Sequence, residues 1–279
     1  MDTTAALLML LAGALHAAWH VLVKGASTPP LLAGMGLVSS SFVVPLLFVV
    51  PSPPPSLWPI YLLSISLHIG YKLFLGLAYE QGDLSKVYPL IRALVPICAT
   101  LLSYLESGQL PNTGQLIGIA LVSVGALGLI SGELLSVVRL RLPLISLATS
   151  AMIAAYSVVD AYGARSPIGW FSFTIWLIFL DGLAFAAVAQ LVQGNALWSQ
   201  LSKFRLRTVV ASALGTGSFA VFVWALSLSP VAVVAAFREC GVIFAALLGF
   251  LVLKEPFRLG KWLAVGTIAV GLVVIAGQR

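Results

Sequence analysis

The chain has 279 residues, of which 60% are hydrophobic and 9% charged, against roughly 45–50% and about 25% in a typical soluble domain. That composition excludes a soluble enzyme or binding domain. The net charge of +6 gathers in connectors between apolar runs, which is the pattern of cytoplasmic loops rather than of a nucleic-acid surface.

Only helices and closed barrels satisfy their backbone in lipid, and a helix needs about 20 apolar residues to cross. Ten such windows occur, which predicts an all-α polytopic membrane protein. The first five run approximately Thr4 to Lys24, Leu31 to Val50, Leu57 to Tyr79, Leu84 to Leu105 and Asn112 to Ser131. The second five run Leu142 to Gly163, Ile168 to Val192, Thr208 to Leu228, Val231 to Leu253 and Leu259 to Ala276. Pro, Gly and Ser mark the joints, as in the proline-rich stretch from Pro51 and in Ser229-Pro230. The apolar N-terminus lacks the basic flank of a signal peptide and is expected to remain as the first span.

The connectors after the odd-numbered spans hold ten basic residues: Lys24, Lys86, Arg139, Arg141, Lys203, Arg205, Arg207, Lys254, Arg258 and Lys261. The opposite side has only Arg165 and Arg279. The positive-inside rule then places both termini outside the cytoplasm.

One stretch is written twice. The segment from Val87 matches the segment from Val233 at an offset of 146, which superposes Arg92 on Arg238, Leu101 on Leu247, Gly114 on Gly260 and Gly125 on Gly271. The first spans of the halves agree more loosely, Ala17 to Val21 with Ala154 to Val158 at an offset of 137. Two repeats are expected, at 1–135 and 136–279, and five spans each invert the second relative to the first. Inverted five-helix repeats are a common architecture of alternating-access carriers.

Six charges fall inside the spans: Lys72, Arg92 and Arg238, with Asp160, Asp181 and Glu239. A charge at the bilayer centre costs about 2.5–3.5 kcal/mol on the insertion scale, so such residues mark function by default. Helical spacing groups them with aromatics. His16, Trp19 and His20 share a face of the first span, and His68, Tyr71 and Lys72 a face of the third; Tyr88 precedes Arg92 by one turn, and Tyr156 precedes Asp160. Arg92, Asp160 and Glu239 also fit interhelical salt bridges. For Asp181, near the middle of the seventh span, a structural hydrogen bond and a transport role both remain open. Cys98 and Cys240 read as buried inert thiols.

No zinc-protease, intramembrane aspartyl or nucleophile-elbow motif occurs, so an enzyme is not expected. The histidines are too few and scattered for a metal site, and no cofactor is implied.

The stretches Leu15 to Lys24, Gly82 to Arg92, Ile153 to Asp160, Ala235 to Glu239 and Leu253 to Pro256 resemble the drug/metabolite transporter superfamily, in its EamA family. Within it the chain is similar to the subgroup labelled phosphonate-utilisation-associated membrane proteins. The resemblance implies a monomeric or dimeric carrier of the bacterial inner membrane, with a central cavity for a small polar metabolite moved by exchange or proton coupling. The chain departs from many members at His20, where they carry Asn.

A carrier site is therefore expected in which Arg92 and Arg238 meet an anionic group and Asp160 or Glu239 a cationic one. Trp19, Tyr71, Tyr88, Tyr156 and Trp224 would form aromatic walls able to stack on an amine, with His16, His20, His68 and Lys72 completing the lining. The substrate expected is zwitterionic or amine-bearing. A flippase of a lipid-linked metabolite is the alternative.

Overall fold

The computed structural model describes residues 3–22, 29–80, 84–130, 141–194, 197–198, 205–253 and 259–278. The repeat boundary after Leu135 and the connector residues Lys24, Arg139, Lys203, Lys254 and Arg258 lie outside them. The described chain runs α1 (Thr3–Leu22), α2 (Pro29–Leu47), α3 (Trp58–Glu80), α4 (Leu84–Ser107), α5 (Thr113–Gly128), α6 (Arg141–Ala164), α7 (Gly169–Gln193), α8 (Arg205–Leu228), α9 (Val231–Arg238), α10 (Cys240–Leu253) and α11 (Leu259–Gly277).

Among the described residues, seven helices are long and apolar enough to cross a membrane, with α9 and the first part of α10 counted as one. Three shorter apolar helices join them, Thr4–His20, Leu31–Leu47 and Thr113–Gly128. Large apolar side chains face outward, among them Phe48, Leu191, Val192 and Leu206. Buried polar groups such as Ser64, Asp160 and Glu239 face inward. That distribution suits a bundle whose surroundings are lipid.

Local chemistry sets the helix ends. At the start of α5 the Asn112 side chain accepts from the Gln115 backbone at 2.9 Å while Gln115 accepts from the Asn112 backbone at 3.2 Å, a reciprocal cap that satisfies two orphan donors. Helix α4 stops where Gly108 adopts a φ of 68°, a conformation that glycine enters without a Cβ penalty.

The sequence predicts one uninterrupted helix from Val231 to Leu253, whereas the structure tightens it at Glu239. There the Glu239 N–H donates to the Ala236 carbonyl at 3.1 Å and the Val242 N–H to the Glu239 carbonyl at 2.9 Å. These three-residue closures separate α9 from α10. Helix α4 carries its own irregularity in Pro89 and Pro96. Pro96 has no N–H for the carbonyl of Arg92, the residue four before it.

Helices pack through small residues, which let backbones approach where no hydrophobic drive exists between apolar surfaces in lipid. Helices α5 and α11 run antiparallel, and a Cβ on Gly118 would meet the Gly271 carbonyl at 2.7 Å, while one on Gly125 would meet the Ala264 carbonyl at 2.9 Å. Helix α2 crosses α7 at Gly36 and Gly182, and α1 meets α10 at Gly13 and Gly241. Elsewhere α3 and α4 pack on α6, and α1 on α8. Hydroxyls tie these crossings, with Ser150 donating to the Ile91 carbonyl at 2.8 Å and Ser218 to the Ala12 carbonyl at 2.8 Å.

Candidate functional site

A cavity of about 170 Å³ opens between α1, α2, α3, α6, α7 and α8, and Arg238 of α9 reaches its wall. The lining residues of α3, α7 and α8 come from the interiors of those helices rather than from their ends, so this space lies mid-bundle rather than at a loop surface. Eight of the residues singled out by the sequence face it: His16, Trp19, His68, Tyr71, Lys72, Tyr156, Asp181 and Arg238.

Two kinds of charge stand in the wall. Lys72 Nζ lies 2.5 Å from Asp181 Oδ2, with both side chains under a fifth exposed, and the ammonium also sits 4.7 Å from the Phe185 ring centre. That pair is compensated within itself. Arg238 has no carboxylate in salt-bridge range among the described residues. Its Nη1 donates to the Tyr156 hydroxyl at 3.1 Å and its guanidinium lies over Phe222 at 4.0 Å, which leaves the positive charge directed at the cavity.

Aromatic stacking fixes the remaining lining. Trp19 Nε1 donates to His16 Nδ1 at 3.1 Å. His68 stacks on Tyr156 with ring centres 3.9 Å apart, and Tyr71 meets Tyr156 edge-on at 5.8 Å.

Four further candidates stand together away from this wall. Arg92 Nε approaches Glu239 Oε2 at 3.3 Å, a distance for ion pairing but without the alignment of a hydrogen bond, since neither Glu239 oxygen finds a donor. His20 stacks on Trp19 at 3.7 Å and lies 4.8 Å from Tyr88, and the Arg92 guanidinium is 5.4 Å from the Tyr88 ring. This cluster is buried, and the kink between α9 and α10 sets Glu239 in it rather than in the cavity.

Asp160 is fully buried and also lies off the wall. It accepts from Ser64 Oγ at 2.5 Å and pairs with His68 Nε2 at 3.1 Å. Trp224 packs partly buried against the core. The sequence did not single out Ser39 of α2 or Ser212 and Thr216 of α8, which line the cavity, with Thr216 donating to Ser39 at 2.8 Å. Serine and threonine are common in membrane helices and carry no signal of their own. Asp181 was visible as a charge, but its partner was not.

A second cavity of about 470 Å³ lies where α4, α6 and α8 end and α5 and α9 begin, beside Glu106, Gln109, Asn112 and Arg165. Arg165 bridges that end by donating to the Leu226 carbonyl at 3.0 Å and the Ser229 carbonyl at 2.9 Å. Tyr162 hydrogen-bonds Glu106 nearby.

The comparisons with known proteins agree with this architecture. A solved structure described as "Crystal structure of protein" has a TM-score of 0.72 and 19% identity, covering 98% of this chain and 96% of its own, which shows the fold. No curated protein matches the chain. A family profile described as "EamA-like transporter family" matches residues 3–131 and again 141–277. Matched across both halves, this multi-pass membrane protein belongs to the EamA-like transporter family, of the drug/metabolite transporter superfamily.

Proposed function

We propose that the protein is a secondary carrier, working by alternating access, for a small metabolite that bears an acidic group and an amine. The observation that carries this reading is the cavity itself. Arg238 offers one cation without a carboxylate in salt-bridge range among the described residues, and the Lys72–Asp181 pair in the same wall offers one charge of each sign. An incoming anion meets Arg238 first. An amine on the same molecule then competes with Lys72 for Asp181, while Trp19, Tyr71 and Tyr156 flank it.

Size narrows the class. The volume of about 170 Å³ is close to that of an engineered cavity of about 150 Å³ that accepts benzene. A small amino acid or aminophosphonate is of that scale, while a nucleotide sugar or lipid-linked metabolite is several times larger, which disfavours the flippase. Aminophosphonates also fit the phosphonate-associated subgroup. Arg92 and Glu239 are assigned to holding the bundle together.

Alternating access between inverted repeats is supported by how contacts repeat. Helices α5 and α11, and α2 and α7, are the fifth and second helices of each half and pack on one another; α3 on α6 has its counterpart in α8 on α1. Adding the sequence offset of 146 to Gly118 and Gly125 gives Ala264 and Gly271, the two residues they touch in reverse order. A twofold relation produces that exchange of partners. With the basic connectors on the cytoplasmic side of a bacterial inner membrane and both termini outside, the smaller cavity lies toward the cytoplasm and the larger one toward the exterior.

The test is exchange in proteoliposomes, with labelled aminoethylphosphonate, L-aspartate and L-alanine as probes. Exchange of at least one is expected, with Arg238→Ala abolishing it and Arg92→Met, Glu239→Met together retaining it. Exchange unaffected by Arg238→Ala would sink the site assignment.

A further inference from the structure

We propose that His68 and Asp160 form a proton-carrying pair, and that one proton moves with each substrate molecule; this rests on the carrier reading above. The pair is placed for it. Asp160 is fully buried and takes only two side-chain partners among the described residues, Ser64 at 2.5 Å and His68 at 3.1 Å. Ser64 is neutral, so the carboxylate is compensated only when the pair holds a proton. His68 itself lines the cavity, so a proton can reach the pair from that side.

Asp160 also lies between the two cavities. On α6, Tyr156 lines the smaller cavity and Arg165 the larger one. With a rise of about 1.5 Å per residue, Asp160 stands roughly 6 Å from the first and roughly 7.5 Å from the second along the helix axis. An aromatic pair packs beside it, Tyr61 against Phe173 with centres 4.9 Å apart, and a Cβ on Gly163, one turn beyond Asp160, would meet the Phe173 ring. A repacking that opens the larger cavity would turn the same pair toward the other side of the membrane.

The sign of coupling follows from the surrounding charges. Around His68, α3 itself supplies Tyr71 and Lys72, α6 supplies Asp160 and Tyr156, α1 supplies His16, α7 supplies Asp181 and α9 supplies Arg238; α8 presents the uncharged Phe219. Lys72 and Asp181 cancel locally. For a probe of net negative charge such as L-aspartate, a proton on the pair adds positive charge beside the wall that receives it, so each favours the other, and linkage makes the effect reciprocal. Proton and substrate therefore travel in the same direction.

Two measurements test this. Nitrogen-labelled histidine spectra need no substrate. Of the three histidine signals, the one lost in His68→Gln is expected to report a ring nitrogen hydrogen-bonded to a carboxylate, and to move in Asp160→Asn. A His68 signal that is identical in Asp160→Asn overturns the pair. In proteoliposomes, an inside-alkaline gradient of about one pH unit is expected to drive up to about tenfold accumulation of the exchanged probe, the equivalent of one proton. Asp160→Asn keeps counterflow and loses accumulation. Counterflow that ignores the gradient refutes proton coupling alone. Absence of counterflow for every probe refutes the substrate class, and the spectra still decide the pair.

Discussion

Gly36 and Gly182 touch where α2 crosses α7, with a Cβ on Gly36 standing 3.1 Å from the Gly182 Cα. They are also 146 positions apart, the offset that relates Arg92 to Arg238. The crossing thus pairs a residue with its own counterpart, and both glycines border the cavity. Gly182→Val is expected to cost about 1–3 kcal/mol through overpacking, because its side chain would enter the space of Ser40 and the Gly36 carbonyl. Gly76, with nothing within 4 Å, is the control; Gly76→Ala should be neutral or stabilising by up to about 1 kcal/mol. Thermal unfolding in detergent distinguishes the two.

Breaking the Lys72–Asp181 pair from one side leaves a charge partly buried in the cavity wall. Asp181→Asn or Lys72→Met is expected to cost about 3 kcal/mol. Lys72→Met with Asp181→Leu should recover most of that loss, since neither charge then remains, while exchange stays abolished. A double variant no more stable than either single one would show that the pair is not the source of the cost.

Arg92 and Glu239 have the same logic without solvent access. Glu239→Ala strands Arg92 among His20, Tyr88 and Arg238, and a loss of about 3–5 kcal/mol is expected. Arg92→Met with Glu239→Met should unfold at a temperature close to that of the parent. If the double variant binds no probe although it folds, these residues act on substrate rather than on the bundle.

The α5 cap offers a prediction independent of charge. Asn112→Ala removes the acceptor for the Gln115 N–H, at a cost of about 1 kcal/mol. Exchange should persist, because α5 does not contribute to the smaller cavity. An activity loss larger than the stability loss would instead tie the larger cavity beside Asn112 to the transport path.

Apolar windows, proline-rich joints and basic connectors are local properties, and each is legible because lipid demands a long apolar helix wherever the chain crosses. The same reading marked every charge within the spans. Helical spacing alone joined His68 to Lys72 and Tyr156 to Asp160, since residues one turn apart share a face whatever surrounds them. The kink at Glu239 escaped it, because Gly241, the one glycine in that turn, reads equally well as a helix-packing position, which it also is against Gly13.

Pairing was decided by tertiary structure. The sequence counts three positive and three negative charges within the spans, and nothing local tells which will meet. Packing of α3 against α6 and α7 brought Asp160 to His68 and Asp181 to Lys72, residues about a hundred positions apart. Packing of α9 against α4 set Glu239 beside Arg92. The remaining cation, Arg238, lines the cavity with no carboxylate in salt-bridge range among the described residues, a property of the assembled charges and of no single segment.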